Sequence, residues 1–338
     1  MIRFTGDICL SDNDFDSGFG VGSRIMKGLN PLSGIVKREG DIWVGNLECV
    51  LSDSTVRAGY NKSCFRLTPE AFTFDKLIDC YCVANNHIMQ HGIDAYKETL
   101  DTLRRYGKDY VGSKDRKTIV LSDEGKKIAV TSFSLRCDNT GFATGYWYAP
   151  ELDELKDECS KYMEADYRVA YIHWGVEFVP YPYAEQQKYA HYLIDSGFDM
   201  VIGHHPHVVQ GYEVYKGKHI FYSLGNFVFN MAYPAANTGL VVSFDPGSAE
   251  VSMDYVRIGK DFTPAFVDES AVPDNLRLDY LNGQMGLLPN VEQYNEASMA
   301  YLRKYRKSHH AYIARSIFRY KLSFLKGMIL NFLHERTS

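Results

Sequence analysis

One stretch constrains this chain more than any other: Val201-Ile202-Gly203-His204-His205-Pro206-His207-Val208-Val209-Gln210. The apolar run from Phe198 to Ile202 reads as a buried strand. It stops at a glycine and then presents three histidines within four residues. Neutral imidazoles on a loop at a strand's end are a usual way to hold a transition metal. A fold that buries this run must therefore also build a ligand-rich edge where the strand stops. Other apolar runs end in the same way. Ile2 to Thr5 leads into Gly6-Asp7, Ile42 to Leu47 into Glu48, Cys80 to Ala84 into Asn85-Asn86-His87, and Arg168 to Ile172 into His173.

Strands that deliver polar residues to one end, separated by helical periodicity, predict an α/β fold with its chemistry at the C-terminal edge of the sheet. Asp94 to Tyr106 carries Tyr96, Leu100 and Leu103 on one helical face. Pro69 to Leu77, behind Thr68 as N-cap, reads as a helix, as do Leu152 to Met163 and Tyr183 to Ser196. Ser134 to Pro150 reads as a long loop. Leu240 to Asp245 and Ala249 to Ile258 flank a Pro-Gly-Ser turn and predict a hairpin. Val291 to Phe332 is mostly helical. The division expected is a body over 1–260 and a basic, mostly helical extension over 261–338.

Charge is distributed unevenly. From Tyr301 onward nine Lys/Arg stand against one acid, Glu335, while residues 1–300 carry a net −13. An acidic body argues against nucleic acid as a partner. From Ile313, the residues Ile317, Tyr320 and Phe324 share one helical face, and Arg315, Arg319 and Lys326 another. Such a helix suits an anionic membrane surface, or it docks on the body or a partner subunit; Leu322, Leu325, Ile329 and Phe332 widen the apolar face and favour docking. Seven cysteines without a C-x-x-C pair fit a reducing compartment. No apolar run reaches the ~20 residues of a membrane span, and Met1 leads straight into a strand. The expected location is the cytoplasm, with peripheral contact at the inner membrane face.

Mixed carboxylate, amide and imidazole donors suit Mn²⁺, Zn²⁺ or Fe rather than Ca²⁺. Two ions sharing a carboxylate would use this many ligands and would activate a water as nucleophile. Arg66, in the polar segment Ser52 to Arg66, is a candidate for gripping an anionic substrate such as a phosphoester, or is an ordinary surface arginine. Glu177 either supports a ligand histidine or caps a loop. Asn226 reads as a support for the ligand loops. Tyr146, Trp147 and Tyr148 either line a groove or pack on the body.

Six motifs in order carry a family resemblance: Gly6-Asp7; Asn46-Leu47-Glu48; Ala84-Asn85-Asn86-His87 with Gly92; His173-Trp174-Gly175-Val176-Glu177; Gly203-His204-His205-Pro206-His207-Val208 with Gln210; and Ser223-Leu224-Gly225-Asn226-Phe227-Val228-Phe229. Over roughly residues 1–245 the chain resembles the capsule biosynthesis protein CapA (poly-γ-glutamate synthesis) family of the calcineurin-like metallophosphoesterase superfamily. The resemblance implies a four-layer α-β-β-α sandwich of the metallophosphoesterase type with a C-terminal helical extension. It implies one or two divalent metal ions held by Asp7, Glu48, Asn86, His173, His205 and His207, with His204 outside that set. The activity implied is hydrolysis by a metal-activated water, with His87 as general acid beside Asn86, in capsule or surface-polymer synthesis. Two residues depart from the pattern: Cys9 stands where a histidine ligand is common, and Gln90 where many members have aspartate. Both suit an alternative, a non-catalytic assembly subunit of a polymer synthase with a degenerate site. A further alternative, an amide hydrolase or ligase on γ-glutamyl links, shares the site.

Overall fold

The computed structural model describes residues 1–57, 61, 63–137, 145–286 and 291–335; the side chains of Ile329 and Phe332, on the expected apolar stripe, and positions 138–144 of the expected loop lie outside the described part. Two sheets dominate it. The first runs, in spatial order, Pro264–Val267, Glu250–Ile258, Thr238–Asp245, Ile2–Ile8, Ile42–Leu47, Cys80–Cys82, Asp109–Val111, with short Asn226–Val228 also paired to Ile2–Ile8. The second runs Tyr212–Tyr215, Lys218–Phe221, Met200–His204, Tyr167–His173, Lys126–Ser134, Thr118–Asp123. Most central pairings in both are parallel, and antiparallel hairpins close both edges of the second sheet and one edge of the first, whose other edge strand, Asp109–Val111, pairs in parallel.

Parallel strands are covered on both faces, so their sequences read as continuous apolar runs. Phe4, Val44 and Cys82 of the first sheet meet Val130, Tyr171 and Ile202 of the second in one core between the sheets. On the outer face of the first sheet Trp43 and Tyr81 pack with Tyr96 and Leu103 of helix Gly92–Arg105. On the outer face of the second, Phe133, Ile172 and Val201 pack with Leu155 of helix Leu152–Ser160 and Leu193 of helix Ala184–Asp195. Each such fully buried side chain stabilises by roughly 1.5–3 kcal/mol. The result is the expected four-layer α-β-β-α sandwich, followed by a helical extension.

Local differences have physical causes. Pro69 to Leu77 forms only a single turn, Pro69–Ala71. The Asp75 carboxylate instead accepts the backbone N–H groups of Leu77 (2.8 Å) and Ile78 (3.0 Å) and the Tyr81 hydroxyl (2.8 Å), a turn that competes with a helix. The first sheet continues past residue 260, because Pro264–Val267 pairs with Glu250–Ile258. Val272, Leu276 and Leu281 of the extension then enter the core between the sheets. The helical tail is broken: helix Val291–Ser316 gives way at Ile317–Arg319, and helix Leu322–Glu335 follows. The break lets Tyr320 and Phe324 turn inward onto Phe19. Phe318 and Leu322 are left 99% and 85% exposed. No helix among the described residues is long and apolar enough to cross a membrane.

Candidate metal centre

Strand register assembles the site. Asp7 sits across from Asn46 on one side and Asn226 on the other, and His173 lies beside His204 in the second sheet. All five are buried. Asp7 accepts from Asn46 Nδ2 (2.8 Å) and from the backbone N–H of His205 (3.1 Å), with His207 Nδ1 at 3.2 Å. Burial pushes its pKa up, but the His207 hydrogen bond, the charges of His204 and His207 and the Asn46 hydrogen bond outweigh burial. The net effect holds the carboxyl below its usual range. His207 moves the opposite way: burial lowers its pKa, and its contacts with Asp7 raise it more.

The histidine loop is held in an uncommon backbone shape. His205 and His207 have φ of 100° and 58°, a region side-chain-bearing residues rarely adopt and one that clusters at functional sites. The Pro206 carbonyl between them accepts the Phe178 N–H at 2.8 Å. Gly203 is required just before the loop: a Cβ there would lie 2.1 Å from the Tyr222 carbonyl oxygen and 2.3 Å from Trp174 Nε1. Asn226 Oδ1 lies 3.0 Å from His207 Nδ1, and its Nδ2 donates to the Ala236 carbonyl at 3.0 Å. Asn226 therefore orients a site histidine as well as satisfying backbone.

Glu48 occupies the middle. Its Oε1 has no hydrogen-bond partner and lies 3.7 Å from His173 Nε2, 3.7 Å from His207 Nε2 and 3.9 Å from His87 Nε2. Burial, then the charge of Asp7, raises its pKa well above the usual range. Asn86 Oδ1 lies 2.8 Å from His173 Nε2. His87 stacks flat on Phe65 (3.8 Å between ring centres) and places Nδ1 2.8 Å from Gln90 Oε1. Gln90 thus accepts the Nδ1 proton and turns Nε2 toward Glu48. An amide adds no negative charge, and burial lowers the His87 pKa to about 4.

Two groups of donor atoms result, each within 4.8 Å mutually: Asp7, His173 and His204; and Glu48, His205 and His207. The sequence places His204 outside the ligand set; in the structure its ring reaches Asp7 and His173. Both nitrogens of His204 and both of His205 are buried without a hydrogen-bond partner. Orphaned buried polar atoms of this kind are costly, and N/O donor sets are what divalent transition metals take. The residues present therefore fit such ions.

Cys9 belongs to neither group; its Sγ lies 3.2 Å from Ser11 Oγ, and burial keeps the thiol protonated. Arg66 Nη1 donates to the Ser52 carbonyl at 2.9 Å, so it braces the mouth segment. Glu177 is half-buried and acts at a distance, its charge raising the pKa of both His207 and Glu48. Tyr146 and Trp147 are buried in the body. The residue that sequence reasoning passed over is Asn46. Its Nδ2 faces Asp7, His173 Nδ1 (3.4 Å) and Glu48 (3.5 Å), and its Oδ1 accepts from Asn85 Nδ2 (3.0 Å). Its spacing two before Glu48, on the same face of a strand, was the available signal.

Residues 1–231 match the family model of the bacterial capsule synthesis protein PGA_cap. The chain belongs to that family. The six motifs and the family model agree. This PGA_cap member is 34% identical over 188 residues to the capsule biosynthesis protein CapA of Bacillus anthracis, covering 49% of this chain and 44% of that protein. It is 34% identical over 177 residues to the PGA biosynthesis protein CapA of Bacillus subtilis (strain 168), covering 48% and 45%. The matches span less than half the length of these relatives. Among solved structures, a phosphatase of Mycoplasma pneumoniae aligns with a TM-score of 0.48 at 13% identity, covering 76% of this chain and 92% of that one. A 5'-nucleotidase of Candida albicans SC5314 aligns at 0.45 and 12%, covering 91% and 57%.

Proposed function

We propose that this PGA_cap chain is a metal-dependent, phosphoesterase-like hydrolase acting in bacterial capsule or surface-polymer synthesis. The observation that carries the reading is the pair of buried donor groups with four imidazole nitrogens that no protein atom satisfies. Asp7, His173 and His204 would hold one divalent ion, and Glu48, His205 and His207 a second, with Asn86 beside His173. Mn²⁺, Zn²⁺ or Fe bound there supplies Lewis acidity toward a phosphoryl oxygen and lowers the pKa of a water. Asn46 and Asn226 fix Asp7 and His207. His87 delivers the proton to the leaving group. Its pKa of about 4 leaves it neutral without a neighbouring anion, so the substrate's own negative charge raises that pKa as it binds. The proposed setting is cytoplasmic, with Phe318 and Leu322 touching the inner membrane face. Co-sedimentation with anionic vesicles checks that contact, and Phe318→Ser with Leu322→Ser should abolish it.

The main test combines metal analysis of protein purified without added metal with hydrolysis of an aryl phosphate. Two equivalents of metal and chelator-sensitive turnover, lost in His87→Ala with His205→Ala, support the hydrolase. Full turnover in that variant or in strong chelator refutes it. The second reading, a non-catalytic synthase subunit, is favoured by Cys9 lying outside both donor groups. It predicts no bound metal and no turnover while partner assembly is intact. An amide hydrolase or ligase reading keeps the same site and would show turnover on γ-glutamyl links instead.

A further inference from the structure

Away from the donor groups, a cleft of about 810 Å³ opens between the body and helix Val291–Ser316. Its walls carry Arg24 and Lys260 from the body and Lys307, Arg315 and Arg319 from the C-terminal segment, and no aspartate or glutamate. None of the five cations forms an ion pair within 4.0 Å of a carboxylate among the described residues. Arg24 lies over the Phe262 ring (4.8 Å) and Arg319 over Phe19 (4.0 Å), which holds two of the guanidinium groups in place without an ion pair. Two acids stand close by: Asp261, exposed at the rim with its Oδ1 beside Gly259 of the lining, and Asp16, buried beneath the wall and bonded to Asn230 Nδ2 (2.7 Å). Burial and the charge of Asp12 raise the Asp16 pKa well above the carboxylate range, so it offsets little of the positive charge. Asn230 and Tyr312 add neutral hydrogen-bonding groups to the lining.

We propose that this cleft is a binding site for an extended, multiply charged oxyanion: a soluble chain bearing carboxylate or phosphate groups. Three observations decide the class. Five cations without an ion-pair partner, against the single rim carboxylate of Asp261, exceed what one carboxylate or phosphate neutralises. The volume falls in the range of ligand sites rather than single-ion sites. Residues 1–300 have a net charge of −13, so a polyanion is repelled elsewhere and drawn to this concave patch, where low-dielectric walls concentrate the field. Guanidinium forks suit carboxylate and phosphate alike. The cleft also borders the metal centre. Asn230 on its wall follows Phe229, whose ring is 4.8 Å from that of His207. Tyr233, on the same wall, stands edge-on to Phe178 at 5.7 Å. A chain seated here runs beside the centre without needing its ligands.

The test is equilibrium binding of a fluorescein-labelled linear decaglutamate to the full chain, with linear tripolyphosphate measured in a parallel arm. At least one probe should bind saturably, and the tighter arm identifies the anionic group. Lys260→Ala, Lys307→Ala and Arg315→Ala together should weaken it at least 10-fold. All three side chains are exposed, so folding is unaffected and circular dichroism confirms it. The matched control Arg303→Ala, Lys304→Ala, Arg306→Ala removes equal charge from outside the cleft lining and should change binding less than 2-fold. His205→Ala should leave binding intact, which separates this site from hydrolase activity. Binding of neither probe, equal losses in the two triple variants, or cleft-dependent binding to anionic vesicles alone overturns the proposal.

Discussion

Glu48→Gln should stabilise the metal-free protein and at the same time weaken its response to metal. The Glu48 carboxylate is fully buried, its Oε1 is unpartnered, and Asp7 is its nearest charged neighbour by effect. An acid whose folded pKa exceeds its ordinary 4.5 binds its proton more tightly when folded. Its contribution to stability is therefore fully present below pH 4.5 and declines as pH rises toward the folded value. Replacing an unpartnered buried carboxylate by its amide isostere removes that cost, on the order of 2 kcal/mol. Unfolding entropy of about 2.1 cal/mol/K per residue gives about 0.7 kcal/mol/K for a chain this long, so Tm should rise by about 3 °C at pH 7. Metal at 100 times its Kd stabilises native protein by ~2.7 kcal/mol, or about 4 °C. The variant, lacking one anionic donor, should lose most of that increment. Differential scanning calorimetry with chelator and with added Mn²⁺ reads both. A variant less stable than native in chelator, with the full metal increment retained, would mean that Glu48 is a structural carboxylate and the donor grouping is wrong.

Gln90→Glu should raise the His87 pKa by placing a carboxylate at its Nδ1, shifting the alkaline limb of the kcat profile upward by about one unit; an unmoved limb removes His87 as the acid. His87, His91 and His204 are each pushed to about 4 by burial, so the unfolded chain takes up their protons first. Their contribution is full above pH 6.5 and is lost as pH falls from 6.5 to 4, on the order of 3 kcal/mol per histidine. His91 bonds Thr55 Oγ1 and the Cys64 carbonyl outside the donor groups, and urea titrations of His91→Gln across that range should show a shallower slope. Gly203→Ala places a Cβ 2.1 Å from the Tyr222 carbonyl oxygen and should cost about 3 kcal/mol, read as a lower midpoint in urea with the metal increment also reduced.

Much of the candidate centre was legible because its donor residues follow local rules. An apolar run long enough for a strand, ended by Gly-Asp or Gly-His-His, announces where a buried strand hands over to polar side chains. Asp7, Glu48, His173, His205 and His207 all lie at such points. Asn46 was hidden because it sits inside a run rather than after it, where a buried amide looks like any strand residue. Its role depends on lying opposite Asp7 in the register of two parallel strands. The family resemblance matches His205 and His207 to a ligand pair and so leaves His204 as the extra histidine. Strand register sets His204 beside His173, which brings its ring into the first group of donor atoms. Gln90 looked like a loss, yet its carbonyl oxygen does the orienting an aspartate would do, without the charge.

By itself the sequence determined the layered α/β class, the sheet edge that carries the chemistry, and membership of the PGA_cap family, since strand periodicity, apolar run length and motif order are all local properties of a chain. The tertiary structure alone decided which donor side chains fall into one group, where the tail breaks, and that Arg24, Lys260 and Arg319 face one cleft. Those outcomes depend on strand register and on the docking of Tyr320 and Phe324 against Phe19. Both join residues far apart in the chain, and no local pattern encodes which distant side chains will meet.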